Sequence, residues 1–595
     1  MPASHYKIAD LDNQYEDDRV LRQYLNRVLP QKVKTDVDPA LQDLGALAGG
    51  DLYDLQLNDR ENEPSLTRFG PQGDRIDEVE LTDLWTRTLE EAAQYGVVAT
   101  AHEQQHGRYS RIDQFARAYL LLPGTDMLGF LLATTDGAAR TLITQGPDDL
   151  TEEVLPHLLS RDPDTFWTSG QWRTEKEGGT DLSQIQTTAR QDDDGTWRLY
   201  GQKWFTSSTA ANMSLVLART DETSDDGLTL FYVPIRESAD IPPRDGIHVN
   251  RVKDKMGARK LPVSEVELDG AVARPVSAIG DGTRTLGPMV RIARTWNSVL
   301  AVGLMRRGLA LARDFGQNRE AFGTPIMEKP LHYDTMASLQ ATFEGAFHLT
   351  FRLVELMGKQ EMGTLTEREE HLYYALTPLV KLTTAKQATS VLGEVMEAFG
   401  GGGYVEDTGI PMLLRNAYAL PLWEGTTNVM ALTTLQKLRR DGRFEALQGE
   451  LQRCREAVNT PALDHAVQTA QDAFENAMSW LADALDESQD AVEAGARRFA
   501  LTIGHALELA LLARHAQWAV AQEGSRATAV VEHFATQGID HIAPRQHYEA
   551  YLLANDVTNQ SLFGTSTPAT GVSSNGDTDA FSPDPADNPD PADAA

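Results

Sequence analysis

Leu422-Trp423-Glu424-Gly425-Thr426-Thr427-Asn428 sets a carboxylate between an indole and a glycine. The ring can exclude water on one side, and the missing Cβ of Gly425 lets a ligand come close to the backbone on the other. Partial desolvation of that kind raises a carboxylate's pKa toward the range useful for a general base. The plainer alternative for Glu424 is a helix-end carboxylate interacting with the helix dipole. Upstream, Gly400-Gly401-Gly402-Gly403 must interrupt any helix, because four glycines cost too much backbone entropy.

Outward from this segment the hydrophobic pattern is helical. Met336, Leu339, Phe343, Phe347, Phe351 and Val354 recur at steps of three and four, which predicts a bundle helix. Leu372, Leu376, Leu379 and Leu382 repeat the pattern, with Pro378 expected to kink or locally open it. Past Arg440 helical periodicity continues to about Leu553, with its best stripe at Phe499, Ile503, Leu507 and Leu511. Between about Phe166 and Val276 the pattern changes to short β-prone runs at 196–200, 213–218, 228–233 and 263–268, separated by turns such as Asp194-Gly195 and Asp245-Gly246. Residues 15–159 alternate expected helices, among them 79–95 and 111–122, with polar connections.

The expected fold is mainly α with a central β domain. It comprises an N-terminal helical domain (1–165), a central β domain (166–285), a helical bundle (286–440) and an additional C-terminal helical domain (441–555). A Ser-, Thr-, Pro-, Gly- and Asp-rich acidic tail (564–595) has no apolar period and is expected to be disordered.

Composition narrows the partners. With 87 acidic against 54 basic side chains the formal net charge is −33, a surface that repels bare phosphate backbones and suits a very salty, halophilic cytosol. A single cysteine, Cys454, excludes an intramolecular disulfide and a cysteine metal site. Met1 to Lys7 run into Asp10, Asp12 and Glu16 without the apolar stretch of a signal peptide, so a cytoplasmic protein without membrane association is expected. No metal is expected: the fourteen histidines never take a ligand spacing, and His102 with His106 reads as a surface pair. Gly-x-Ser-x-Gly, Walker and Gly-x-Gly-x-x-Gly signatures are missing.

Two more segments complete a constellation. Trp172-Arg173-Thr174-Glu175-Lys176-Glu177-Gly178-Gly179-Thr180-Asp181 opens the β region, and Gly201-Gln202-Lys203-Trp204-Phe205-Thr206-Ser207 follows a strand-like run. The first offers hydroxyls and backbone N–H groups in a glycine-containing loop, suited to a flat polar ring edge, although a capped loop would use the same residues. In this order and spacing the three segments resemble the acyl-CoA dehydrogenases, most closely their alkylation-response (AidB-like) subfamily. The resemblance covers residues 15–441, and the helical region beyond is similar to that subfamily's C-terminal extension.

The resemblance implies the acyl-CoA dehydrogenase fold, with a β-barrel-like middle domain, and FAD as cofactor. It places Trp172, Thr174, Gly179, Thr180, Phe205, Thr206 and Ser207 at the flavin, with phenylalanine standing where the family has tryptophan. Arg319 and Phe322 match the segment that reaches the FAD of a neighbouring subunit. Glu397, Gly400 and Gly401 match the adenine end, with Glu397 replacing a usual glutamine and Pro330 standing near a second one. Gly425, Thr426 and Asn428 would bind cofactor, Glu424 would be the catalytic base, and Arg294 would lie near the acyl-CoA at the mouth of the site. It further implies a homotetramer, fatty acid metabolism and an electron-transfer flavoprotein as acceptor. The alternative is an AidB-like flavoprotein that protects DNA from alkylation, with weak dehydrogenase activity. Residues 441–550 carry 8 basic and 17 acidic side chains, which argues against DNA as a partner. A scaffold that has lost the chemistry would have no use for the carboxylate of Glu424.

Overall fold

The computed structural model describes residues 7–220, 227–237, 241–544 and 547–556; the tail expected to be disordered lies outside them. Its N-terminal part is helical apart from one hairpin, β1 (Ser65–Phe69) against β2 (Arg75–Glu80). The helix expected over 79–95 is therefore shorter: Val79 and Glu80 finish β2, and the helix spans Asp83–Gln94 after Thr82, whose hydroxyl accepts the Trp85 N–H. The hairpin escapes pattern analysis because one of the two buried positions of β2 is Asp77, which accepts the Val249 N–H at 2.8 Å. His102 and His106 are not a surface pair. The His102 side chain is only 2% exposed and meets buried Asp136 at 2.7 Å. Asp136 also accepts from Arg111, Gln114 and Trp296, which satisfies a carboxylate inside the helical layer.

The central part is a β structure built from β3 (Ser169–Trp172), β4 (Thr188–Gln191), β5 (Trp197–Ser207), β6 (Met213–Thr220), β7 (Leu228–Pro234), β8 (Ile247–Val252) and β9 (Val263–Pro275). Pairings run β6-β4-β5-β9-β7 and return from β7 to β6, closing a five-strand ring; β3 adds in parallel to β6, and β8 adds antiparallel to β9. Closure leaves the ring without an edge. The segment 201–207 does not follow a strand but is the second half of β5. There the register against β9 slips, Lys203 opposing Val266 and Thr206 opposing Ser264, so β5 carries an extra residue at Trp204-Phe205.

Three helices of 32 residues, Gly287–Asn318, Pro330–Glu361 and Glu367–Ala398, form the bundle. The last starts with a capping box between Thr366 and Glu369 and runs through Pro378 without a break, since its neighbours bury both flanks of that turn. It stops at Ala398, where the glycine run forms a 3₁₀ turn, Gly400–Tyr404. The C-terminal helices include Pro461–Glu487 and Gln489–Glu523; the latter buries Phe499, Ile503, Leu507 and Leu511. Buried Gln387 of the bundle donates to Glu508 of that helix at 2.7 Å, and burial pushes the Glu508 carboxyl well up, against the opposing pull of that hydrogen bond.

Candidate active site

A cavity of 630 Å³ opens where the β3 end of the barrel, the Gly287–Asn318 helix and the turn before Thr427–Leu438 meet. Glu424 stands in that turn, 6% exposed, with φ 58°, a left-handed conformation that costs a non-glycine residue about 1–3 kcal/mol unless its surroundings hold it. Two buried cations supply the hold. Arg294 Nε donates to the Glu424 carbonyl at 3.4 Å, and Lys381 Nζ donates to the carbonyl of Gly425, itself at φ 109°. Burial lowers the Lys381 pKa to about 7; Arg294 pushes the same way and Glu424 opposes. The Glu424 carboxylate accepts one hydrogen bond, from Arg173 Nη2 at 3.0 Å on Oε2. Thr426 caps the next helix by accepting from Val429 N–H, so Glu424 lies two residues before the cap and is not itself a helix-end carboxylate. Trp423 stacks on Phe130 with ring centroids 4.2 Å apart, closing the turn against the N-terminal helices.

Thr174, Gly179, Thr180, Phe205, Ser207, Arg294, Glu424, Gly425 and Thr426 all line this one cavity. Strand alternation separates their neighbours: Thr206 points the other way and donates to the Ser264 carbonyl at 2.7 Å, while Trp172 is buried with its indole N–H toward Ser207 O at 3.4 Å. Neither side chain lines the cavity, and exposed Asn428 also lies off it. Arg294 sits buried in the third turn of its helix. The remaining candidates are remote. Arg319 ends the Gly287–Asn318 helix; Phe322, 102% exposed, tips a two-stranded hairpin, Glu320–Ala321 with Thr324–Pro325; Glu397, Gly400 and Gly401 lie at the end of Glu367–Ala398. A wholly exposed phenyl ring at a hairpin tip has no partner among the described residues.

Over 526 residues the chain is 35% identical to acyl-CoA dehydrogenase family member 11 of Caenorhabditis elegans, covering 85% of this chain and 84% of that protein. The chain belongs to the acyl-CoA dehydrogenase family. Residues 170–271 match the acyl-CoA dehydrogenase middle domain and 280–438 its C-terminal domain; 7–165 match the AidB N-terminal domain, and 444–561 the C-terminal domain of acyl-CoA dehydrogenase 11. The putative acyl-CoA dehydrogenase AidB of Escherichia coli is 30% identical over 64% of this chain and 70% of its own length. A crystal structure of Caenorhabditis elegans ACDH-11 in complex with C11-CoA superposes with a TM-score of 0.87, at 31% identity, over 95% of this chain and 97% of that one.

Within this acyl-CoA dehydrogenase the structure adds Arg173, Lys381, Phe130 and Gln171 to the site. The motif containing Arg173 was visible, but its partner Glu424 is 251 residues away. The walls suit a flat, polar-edged ring. Phe205, 54% exposed, lines the cavity, and Gln171 Nε2 at the cavity wall is buried with no hydrogen-bond acceptor among the described residues. An isoalloxazine supplies a π face for the first and carbonyl acceptors for the second.

Proposed function

We propose that the chain is an FAD-dependent dehydrogenase that introduces a double bond between Cα and Cβ of an acyl-CoA thioester, with Glu424 as base. The observation that carries this is the placement of Glu424: a buried carboxylate, fixed in a left-handed turn, on the wall of a cavity whose remaining lining is mostly apolar. Thr174, Gly179, Thr180, Phe205, Ser207 and Thr426 would hold the flavin, with Trp172 and Thr206 backing that wall; Asn428, off the cavity, would reach the cofactor from outside it. Bound FAD supplies the acceptor for the β hydrogen, taken as hydride. The protein's part is to fix the acyl chain between Phe205 and Glu424, exclude water behind the Phe130–Trp423 stack and receive the α proton on the Glu424 carboxylate. Arg294 and Lys381 keep the turn from relaxing as that proton moves.

Arg319, Phe322, Glu397, Gly400 and Gly401 would serve an FAD shared with another copy in a homotetramer, which gives the exposed Phe322 ring its partner. Electrons would leave to an electron-transfer flavoprotein in a cytoplasmic, salt-adapted fatty acid metabolism. The C11-CoA bound by the Caenorhabditis elegans structure supports an acyl-CoA ligand. The DNA-protection alternative is disfavoured by the acidic 441–550 region. Anaerobic titration of the FAD-loaded protein with an acyl-CoA panel tests the proposal: bleaching of the flavin spectrum is expected, and no bleaching by any thioester overturns it.

A further inference from the structure

Arg173 stands beside the proposed base in the cavity wall. It follows β3 directly, its side chain is 17% exposed, and it lines the cavity. Among the described residues its one partner is Glu424, and Glu424 Oε2 occupies one of its nitrogens. A guanidinium carries five N–H donors, so the rest of the fork faces the cavity. Water serves those donors while the cavity is open. An acyl chain that fills it displaces the water, and a plain alkyl chain brings no acceptor in return.

The charge balance during reaction adds a second, independent demand. The cavity wall carries four cations, Arg173, Lys255, Arg294 and Arg415, against the single carboxylate of Glu424, in a chain whose net charge is −33. Arg415 is neutralised by Glu406, whereas Arg173 has Glu424 alone. When the Cα–H bond breaks, its proton goes to Glu424 and its electron pair forms the new Cα=Cβ bond, as the β hydrogen leaves with its own pair to the flavin. Glu424 is then a neutral acid and the negative charge has passed to the flavin with the hydride, so Arg173 has lost its hydrogen-bonded counter-ion in a partly dry cavity.

We propose that Arg173 is a specificity residue that selects an acyl thioester carrying a second carboxylate close to the reacting carbons, a short dicarboxylic acyl-CoA. Such a group accepts the remaining guanidinium donors in a bidentate pair and replaces the counter-ion that Glu424 gives up. Because Arg173 lies within hydrogen-bond distance of the base, only a short acyl chain brings its distal carboxylate to that place.

This inference rests on the dehydrogenase function proposed above, and one set of measurements separates the two. Succinyl-CoA is compared with butanoyl-CoA, and glutaryl-CoA with pentanoyl-CoA, by anaerobic flavin reduction in wild type, Arg173→Met and Arg173→Lys. Calorimetric binding of glutaconyl-CoA against 2-pentenoyl-CoA, already unsaturated, gives a readout independent of turnover. Wild type is expected to favour the dicarboxylic member by about 10-fold or more, the scale of a hydrogen bond to a charged group. Arg173→Met is expected to reverse that preference, and Arg173→Lys to retain part of it. An unchanged preference in Arg173→Met overturns the proposal and leaves the dehydrogenase function standing. Loss of flavin from Arg173→Met without a change in acyl preference also overturns it, assigning Arg173 to the cofactor. Reduction by no thioester in any variant overturns both.

Discussion

Glu424 and Lys381 show how much of a site one turn can carry. The turn is held by carbonyl contacts to two buried cations, and the Lys381 ammonium is kept there at a cost, its pKa pulled to about 7. A lysine whose folded pKa lies below its unfolded value binds fewer protons folded than unfolded between the two. Stability therefore rises with pH from about 7 to the usual lysine value, by about 5 kcal/mol at most. Lys381→Met should flatten that rise in thermal unfolding followed against pH, and should slow flavin reduction through a looser turn while leaving FAD bound. An unaltered pH dependence would remove Lys381 from this role. At this scale the sequence exposed Glu424, because its Trp, Gly and Thr neighbours are contiguous with it. Arg173, Phe130 and Lys381 were not legible, because what makes them functional is a partner supplied by another element, 251 residues off for Arg173.

Elements were legible where one face is apolar and poorly legible where a polar group fills a buried position. The Gln489–Glu523 helix and the bundle stripes follow from periodicity, whereas β2 is hidden by Asp77 and the buried His102 by its carboxylate partner. That partner, Asp136, ties together helices Ala99–Glu103, Ser110–Leu121, Gly129–Gln145 and Gly287–Asn318. Arg111 and His102 hold its carboxyl well below the usual carboxylate range despite burial. Its contribution is thus fully present above the unfolded carboxylate pKa and is lost as pH falls toward the folded value. Asp136→Ala leaves Arg111 with Glu361 as its one carboxylate partner, beside the Gln114 amide oxygen, and should cost about 3–5 kcal/mol, read as a lowered unfolding midpoint near neutral pH. A loss under about 1 kcal/mol would mean that Glu361 suffices. At the other end of the bundle, Thr366→Ala removes the capping-box hydroxyl of Glu367–Ala398 and should cost about 1 kcal/mol by the same assay; no change would show that packing alone fixes that terminus.

Across the whole molecule the net charge of −33 dominates what the surface does. Like charges spread over one chain repel with a reach of about 8 Å at physiological ionic strength and about 3 Å at 1 M salt. Raising salt over that range should therefore raise the melting temperature, and a melting temperature indifferent to salt would refute the proposed salt adaptation. The same charge should keep DNA affinity weak at physiological salt, and tight filter binding that persists in molar salt would favour the DNA-protection alternative. Long-range organisation was the most legible level of all, since three short motifs in a fixed order, with their helical and β surroundings, place every layer. How those layers meet around one cavity was not, because closure of the β6-β4-β5-β9-β7 ring depends on register, which a one-residue slip in β5 alters. The proposed chemistry comes down to one group, Glu424. Single-turnover anaerobic reduction of the FAD-loaded protein by acyl-CoA, wild type against Glu424→Gln at matched FAD occupancy, should show a fall of about 10²- to 10⁴-fold with FAD binding retained. Near-wild-type reduction in a folded, FAD-loaded Glu424→Gln protein would contradict the assignment of Glu424 as the base.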